Sequence, residues 1–230
     1  MIELHPLPGI PEIESGADLA AEIMAGCERA ALHLTDGDIV VVTHKIVSKA
    51  EGRTVRVLTD ADYRAVIAEE AVDIIRRRGD LVITRTRHGF VCANAAVDRS
   101  NTPEGVAVLL PVDPDGSAHN LRLALERATG AKLGVLITDT FGRAWRRGQT
   151  DVAIGMSGVI AVLDLRGTTD TEGRELMATE VAVADELAGA ADLVMGKATA
   201  VPVAIVRGAN LLGEGRGDDL VRDPQEDLFL

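Results

Sequence analysis

Aromatic side chains and cysteine are scarce in this sequence of 230 residues. Aromatic residues make up 2% of the chain, whereas hydrophobic residues make up 47%. A buried core therefore has to be built mainly from valine, leucine, isoleucine and alanine. The two cysteines, Cys27 and Cys92, have no metal-binding or redox-motif spacing. We predict that both are buried free thiols, which is typical of a protein from a reducing cytoplasm.

The sequence also lacks the features that direct proteins to membranes or to nucleic acids. No apolar stretch approaches the roughly 18–20 residues needed to cross a bilayer. The N-terminal segment has neither the basic nor the apolar region of a signal peptide. The formal net charge of −12 argues against nucleic-acid binding, because such proteins neutralise phosphates with a basic surface. We therefore expect a cytoplasmic protein with no membrane or nucleic-acid partner.

Neither of the common glycine-rich nucleotide motifs is present. No G-x-G-x-x-G follows a predicted strand, and there is no G-x-x-x-x-G-K-[ST]. Helical patterns alternate with apolar strand patterns, and residues 81–95 look like a hairpin around Arg87-His88-Gly89. This combination predicts a mixed α/β or α+β fold rather than a Rossmann or P-loop fold.

The most informative stretch runs from Leu133 to Met156. An apolar run, Leu133 to Ile137, predicts a buried strand, and Thr138-Asp139-Thr140 follows it directly. Arg143, Arg146 and Arg147 come next, and arginine grips carboxylate or phosphate oxygens two at a time. The stretch indicates a metal-bound phosphate, although an ordinary strand end with a solvated basic loop would use the same residues.

Two further polar segments follow predicted strands. Lys45 and Lys49 come after the strand Ile39–Thr43 and lie on one face if this segment is helical. Asp98 and Asn101 form the second segment, which reads equally well as an Asx-type turn. If these groups meet Asp139, they would form a site for Mg²⁺ or Mn²⁺ that bridges nucleotide phosphates. Solvated surface turns remain the alternative.

The remaining pattern predicts several elements that a structure can test. They are a strand at Ile2–Leu4, a helix from Leu19 to about Leu32 capped by Asp18, an amphipathic helix from Asp60 to Arg78, a helix from Ser117 to about Ala128 ended by Gly130, a strand from Gly158 to Leu163, a polar, glycine-rich loop at 165–176 that we interpret as a substrate loop, a helix beginning at Thr179, and a strand from Val203 to Val206.

Five segments together resemble the coenzyme F420-0:L-glutamate ligase family. They are VVTHKIVSKAEGR (41–53), NAAVDRSN (94–101), LLPVDPDGSA (109–118), ITDTFGRAWRRGQTDVAIGMSG (137–158) and MGKATAVPVAIVRG (195–208). The resemblance implies a two-lobed ligase fold with a nucleotide cleft, a single ligase domain over residues 1–230, and an intertwined homodimer.

The resemblance also implies a reaction. GTP would phosphorylate the lactyl carboxylate of coenzyme F420-0, L-glutamate would displace phosphate from the acyl phosphate, and further glutamates would join through γ-linkages. Two divalent cations, Mg²⁺ or Mn²⁺, would be held by Asp98, Asp139 and Thr140, with K⁺ as an activator. Asp139, Lys49 and Arg143 would act in catalysis; charge alone assigns the arginines to substrate phosphodiester or carboxylates.

Residues implied for nucleotide binding come from four segments. They are Ile10, Pro11, Glu12, Ile13, His44, Lys45, Lys49, Asn101, Met195, Gly196, Lys197, Ala198, Thr199, Ala200, Val201 and Pro202. Two departures from the family pattern stand out: His44-Lys45 replaces small hydroxyl residues that are frequent in relatives, and the 195–202 loop lacks the acidic and additional glycine residues of archaeal relatives. A metal-dependent nucleotide phosphohydrolase and a non-catalytic GTP-binding subunit remain alternatives.

Overall fold

A computed structural model describes residues 1–227 and shows a mixed α+β fold, as predicted. Its helices alternate with strands along the chain rather than forming a separate bundle. They are α1 (Leu19–Arg29), α2 (His44–Ala50), α3 (Asp60–Glu70), α4 (Pro114–Thr129) and α5 (Val183–Met195). Every helix within residues 1–227 is too short or too polar to cross a lipid bilayer.

The strands form one main sheet and three smaller ones. They are β1 (Glu3–Pro6), β2 (Ile39–Thr43), β3 (Thr54–Arg56), β4 (Ala71–Arg78), β5 (Leu81–Thr86), β6 (Val91–Ala93), β7 (Val106–Val108), β8 (Gly134–Gly142), β9 (Gln149–Ser157), β10 (Leu163–Asp164), β11 (Glu180–Val181) and β12 (Val203–Arg207). The main sheet has the order β1-β12-β2-β8-β9, in which β2 and β8 are parallel and the other pairs antiparallel.

Two hydrophobic cores lie on opposite faces of the main sheet. Because successive strand side chains point to opposite faces, Val135 and Ile137 of β8 join the core that contains residues of α1 and α4. Leu136, between them, joins the core that contains Ala184 and Leu187 of α5. The face of β8 on which a side chain lies therefore determines which helices surround it.

A β-bulge in β9 determines which polar side chains meet at the end of this sheet. Ile137 pairs with Gly155 and Thr138 with Ala153, so Ile154 is an extra residue on β9. A one-residue shift moves all following side chains to the other face. The bulge thereby places Asp151 opposite Thr140 and on the same face of the sheet.

Close packing next to this bulge requires a glycine. A Cβ built on Gly155 would lie 2.5 Å from the carbonyl carbon of Pro114, at the start of α4. Heavy atoms cannot approach that closely, so the first turn of α4 docks on β9 only because position 155 has no side chain.

The predicted helix from Asp60 to Arg78 is wrong in its second half. The helix α3 ends at Glu70, and residues Ala71–Arg78 form β4, which pairs antiparallel with β5. The β-branched residues Val72, Ile74 and Ile75 fit a strand as well as a helix, and pairing with β5 decides in favour of the strand. The three arginines at 76–78 therefore lie on a strand and do not complement a helix dipole.

Other element boundaries also differ from the predictions. Of the strand predicted at Gly158–Leu163, only Leu163 lies in a strand, β10. The preceding strand β9, at Gln149–Ser157, was not predicted, because the local pattern did not reveal its pairing with β8. Thr138, Asp139 and Thr140 lie within β8, because this hairpin extends the strand to Gly142. The remaining differences are an α1 that ends at Arg29, an α4 capped by Asp113 instead of Ser117, and an α5 that starts at Val183 instead of Thr179.

Several local predictions are confirmed. Asp18 accepts a hydrogen bond from the Ala21 N–H at the start of α1, and Gly130 ends α4 with a φ of 73°. Both cysteines are buried free thiols. The hairpin at 81–95 is present as β5 and β6.

Candidate active site

A cleft of about 540 Å³ opens beside the carboxyl ends of the parallel strands β2 and β8. Ligands of open α/β sheets bind at this position, because loops diverge there and leave a crevice. The cleft also has the size of typical small-molecule sites. Its lining comprises Ile10, Pro11, Glu12, Ile13, Thr43, Lys45, Ile46, Lys49, Asn101, Thr102, Pro103, Thr140, Asp151, Asp192, Met195, Gly196, Lys197, Ala198, Ala200, Val201 and Pro202.

The short helix α2 presents two lysines to this cleft, one turn apart. The Lys45 ammonium lies 2.8 Å from the Asp98 carboxylate. Lys49 Nζ lies 2.5 Å from Glu12 Oε1 and donates to the Asn101 carbonyl oxygen at 3.1 Å. The prediction that both lysines share one helix face is confirmed.

These two ion pairs differ in how firmly they are fixed. The side chain of Glu12 is 70% exposed, whereas that of Asp98 is 30% exposed. Glu12 can move into water at small cost because it is already solvated, but the Lys49 side chain is only 10% exposed and needs another anion in its place. Burial raises the pKa of Asp98, but the Lys45 ammonium and the Ser100 N–H more than offset it, and the pKa of this carboxyl is lowered.

Asp139 lies on the face of β8 that packs against α2. Its Oδ1 accepts a hydrogen bond from the Thr140 N–H at 2.8 Å and lies 3.2 Å from Nε2 of His44, which is fully buried. The angle of the His44 contact is unfavourable for a hydrogen bond, so it is best described as close polar packing. Burial, and then the Asp139 charge, raise the pKa of the neighbouring Cys92 thiol to about 12.

Thr140 and Asp151 lie on the opposite face of the same sheet, toward α5. The Thr140 hydroxyl donates to Asp151 Oδ1, and the Thr138 hydroxyl donates to Asp151 Oδ2 at 3.0 Å. Asp151 is only 5% exposed, and Lys197, in the loop that follows α5, donates to the Thr140 hydroxyl. The carboxylate of Asp151 is therefore held by two hydroxyl groups beside a lysine.

Comparison with known proteins identifies the family to which these residues belong. The family model described as F420-0:Gamma-glutamyl ligase matches residues 9–208. The chain belongs to this ligase family. It is 42% identical to the coenzyme F420:L-glutamate ligase of Methanocaldococcus jannaschii over 214 residues, which cover 85% of this chain and 86% of the relative.

Two further relatives align over nearly their whole length. The coenzyme F420:L-glutamate ligase of Methanothermobacter thermautotrophicus is 41% identical, with 99% of this chain and 98% of the relative covered. That of Archaeoglobus fulgidus is 38% identical, with 99% and 96% covered. This member of the F420-0:gamma-glutamyl ligase family is accordingly an enzyme that ligates glutamate, as the sequence segments had indicated.

Most residues that the resemblance implied for nucleotide binding line the cleft of this ligase-family chain. Two do not: His44 is buried beneath the cleft, and the Thr199 hydroxyl donates to the Met195 carbonyl oxygen within its own loop. Arg143, Arg146 and Arg147 lie in the exposed turn between β8 and β9, where Arg143 Nη2 donates to the Arg147 carbonyl oxygen at 2.8 Å. Their role toward a substrate remains a prediction.

Sequence reasoning missed Asp151 and Asp192. Asp151 could have been found only by pairing β8 with β9 and by allowing for the bulge at Ile154. Asp192 lies on the last turn of α5, and its pKa is raised by burial and by the charge of Asp151, against the opposing effect of Lys197. A helix pattern alone does not reveal that such a carboxylate faces a cleft.

The oxygen donors around the cleft are spread over both faces of β8. No group of three or more histidine, cysteine, aspartate or glutamate side chains within the described residues is arranged to hold a metal ion. The donors are carboxylates and hydroxyls, which suit Mg²⁺ or Mn²⁺, and Mg²⁺ usually takes one or two protein carboxylates and completes its shell with water and phosphate. The donor chemistry thus fits a divalent cation carried with a nucleotide.

Proposed function

We propose that this chain uses GTP to join L-glutamate to the lactyl carboxylate of coenzyme F420-0, and then adds further glutamates through γ-linkages. The observation that carries the proposal is the cleft itself. It lies at the carboxyl ends of β2 and β8 and is lined by two lysines, by carboxylates and by the 195–202 loop. The relatives are named for a glutamate ligation on coenzyme F420, and such a reaction needs a site for a nucleotide beside a site for the acceptor.

The lysines of α2 are suited to the phosphates of GTP. Lys49 can leave the exposed Glu12 for a phosphate oxygen at little cost, while Lys45 remains fixed by Asp98. Ile10–Ile13 on one side and Met195–Pro202 on the other enclose the remainder of the nucleotide. Small residues in the second segment allow backbone N–H groups to approach it closely.

Two divalent cations, Mg²⁺ or Mn²⁺, would be held by Asp98, Asp139 and Thr140 in this proposal, with K⁺ as an activator; Thr140 would serve a different cation from Asp139, because the two side chains lie on opposite faces of β8. When bound, such a cation would neutralise charge on the nucleotide phosphates. The buried position of Asp139, 7% exposed, and its hydrogen bond from the Thr140 N–H keep its carboxylate in one orientation. Preorganised groups of this kind need little rearrangement during the reaction.

The reaction divides into two transfers that balance in atoms and charge. The acceptor carboxylate attacks the γ-phosphorus of GTP, which breaks the bond to the β-phosphate oxygen and gives an acyl phosphate and GDP. The amino group of L-glutamate, having lost a proton, then attacks the acyl carbon and displaces inorganic phosphate. The ammonium groups of Lys45 and Lys49 stabilise negative charge on the transferred phosphoryl group.

Mass spectrometry after incubation with coenzyme F420-0, GTP, L-glutamate and Mn²⁺ tests the proposal. A product heavier by one or more glutamyl units, formed only when all components are present, supports it. Loss of GTP without glutamylation would select the phosphohydrolase, and tight GTP binding without turnover would select the binding subunit. Omission of glutamate is the matched control, because a ligase then accumulates no amide product.

We also propose a homodimer in solution. Within residues 1–227, β9 is an edge strand of the main sheet, and the backbone of an edge strand can pair with a second chain. Light scattering should give about twice the chain mass of 24.3 kDa. A mass of one chain at micromolar concentration would contradict this part of the proposal.

A further inference from the structure

The ammonium group of Lys197 lies in a group of oxygen atoms on the α5 side of the cleft. It donates a hydrogen bond to the Thr140 hydroxyl oxygen, and that hydroxyl donates its own proton to Asp151 Oδ1. Since a hydroxyl has one proton and two lone pairs, Thr140 presents only lone pairs to the lysine. A hydroxyl oriented in this way is arranged to receive a cation.

Two carboxylates, Asp151 and Asp192, line the cleft together with Thr140 and Lys197 and complete this group of oxygens. Asp151 is bound by the hydroxyls of Thr138 and Thr140, and the charge of Asp192 interacts with both Asp151 and Lys197. Two nearby carboxylates repel each other, and a cation between them removes that repulsion. We refer to Thr140, Asp151 and Asp192 as the oxygen nest.

The loop that carries Lys197 is attached to the opposite wall of the cleft. Asn101 Nδ2 donates to the Lys197 carbonyl oxygen at 3.4 Å, and the Asn101 carbonyl oxygen accepts from Lys49 at 3.1 Å. The loop leaves α5 at Gly196, which has a φ of 62°, a backbone conformation that glycine adopts readily. The backbone of residue 197 is therefore held near the cleft, with its side chain directed toward α5.

We infer that Lys197 serves as a built-in cation, occupying the position that a second metal ion would otherwise take in the oxygen nest. A lysine ammonium is a compact point charge with three donors, so it can replace a small cation between oxygen ligands. The inference rests on the proposed function and reduces the number of divalent ions that the site needs from two to one per chain. Lys197 thus has a positioning role, because it fixes Thr140 and Asp151 at the rim of the cleft.

Electron paramagnetic resonance of Mn²⁺ in the presence of GDP tests this inference without any turnover. Titration of the wild-type protein should give one bound Mn²⁺ per chain, and Lys197→Ala should give two, because the emptied nest then accepts an ion. Lys132→Ala is the matched control: it removes the same charge at a position outside the cleft and should bind one. Asp192→Asn combined with Lys197→Ala should weaken the second Mn²⁺ by about tenfold.

Activity gives an independent measurement. At low Mn²⁺, turnover of Lys197→Ala should fall by about tenfold, and added methylammonium, which supplies the missing ammonium group, should restore most of it. Methylammonium should leave Lys132→Ala unchanged. Circular dichroism checks that each variant is folded, which we expect because Lys197 lies in an exposed loop.

Distinct outcomes overturn the inference and the proposed function. Two Mn²⁺ ions per wild-type chain, or one per chain in Lys197→Ala, would overturn the inference while leaving the ligase function intact. A rise in the KM for GTP in Lys197→Ala with no change in Mn²⁺ number would show that Lys197 binds phosphate instead. Absence of any GDP or Mn²⁺ binding by the wild-type protein would overturn both.

Discussion

The two faces of β8 carry different kinds of polar group at the same level of the cleft. Asp139 points toward α2 and is surrounded by His44, Cys92 and a backbone N–H. Thr140 points toward α5 and meets Asp151 and an exposed lysine. One face therefore holds a carboxylate that is fixed by burial, and the other holds oxygens whose cation can be exchanged. A single strand can supply both because its side chains alternate.

The largest expected effect on activity comes from the face of β8 toward α2, where Asp139 is buried. Asp139→Asn keeps the shape of the side chain but removes its charge, and we expect glutamylation to fall by about 100-fold or more, with little change in the thermal midpoint. Turnover and thermal unfolding measured side by side check this. Asp73→Asn, on the exposed surface of β4, is the control for a lost carboxylate. Near-normal activity in Asp139→Asn would remove this residue from the mechanism.

The Cys92 thiol, next to Asp139 on the face of β8 toward α2, should make the stability of the protein depend on pH. The pKa of Cys92 is raised from 9.0 to about 12 in the folded protein, so the folded state retains a proton that the unfolded state loses. The contribution of this thiol to stability is therefore fully present below pH 9 and is lost as the pH rises toward 12, by about 2 kcal/mol at pH 10.5.

Denaturant unfolding at pH 8 and pH 10.5 measures this decline. Cys92→Ala should lose that share of the pH dependence, whereas Cys27→Ala, which removes a thiol whose pKa is also raised but by less, should lose a smaller share. Equal slopes for the wild type and Cys92→Ala would show that the Cys92 thiol is not responsible.

Turnover should be less sensitive to the loss of one charge on the face of β8 toward α5, where Thr140 meets Asp151. Asp151→Asn removes one of the two oxygens that accept from Thr138 and Thr140, and we expect turnover to fall by about tenfold with a higher Mn²⁺ requirement. Titration of activity with Mn²⁺ measures both effects. A fall as large as that of Asp139→Asn would show that the two faces contribute equally and would weaken the distinction drawn above.

The smallest expected effect lies at the cleft entrance. Glu12→Gln breaks the ion pair between Glu12, which is 70% exposed, and Lys49, which is 10% exposed. We expect the KM for GTP to fall by less than about threefold, because Lys49 no longer has to leave a carboxylate. Initial rates over a range of GTP concentrations measure it. A higher KM would mean that Glu12 itself contacts the nucleotide.

Local patterns were sufficient to place the lysines but not to assign the acids around Thr140. The strand Ile39–Thr43 and the helical spacing of Lys45 and Lys49 are local features, and the structure shows both. Asp151 reaches Thr140 only through the pairing of β8 with β9 and the bulge at Ile154. The spacing of residues in the sequence does not indicate which strands pair over a long range, and β9 was missed for this reason.

The same limit explains the error in the region of β4. Ala71–Arg78 has a composition that suits either a helix or a strand, and pairing with β5 determines the outcome. The α+β class was predictable because alternation of helices and strands is visible in the composition of each segment. Which strands are neighbours was not, because the main sheet brings together segments from both ends of the chain.

Gly155 shows how a motif residue can be required for reasons unrelated to ligands. It belongs to the segment 137–158, which contains the residues discussed above, yet what it touches is the first turn of α4. A library that randomised position 155 should return a single amino acid among well-folded clones. Mutational scans of this segment would then mark the position as intolerant, and that intolerance would report how the helix sits on the sheet rather than anything about chemistry.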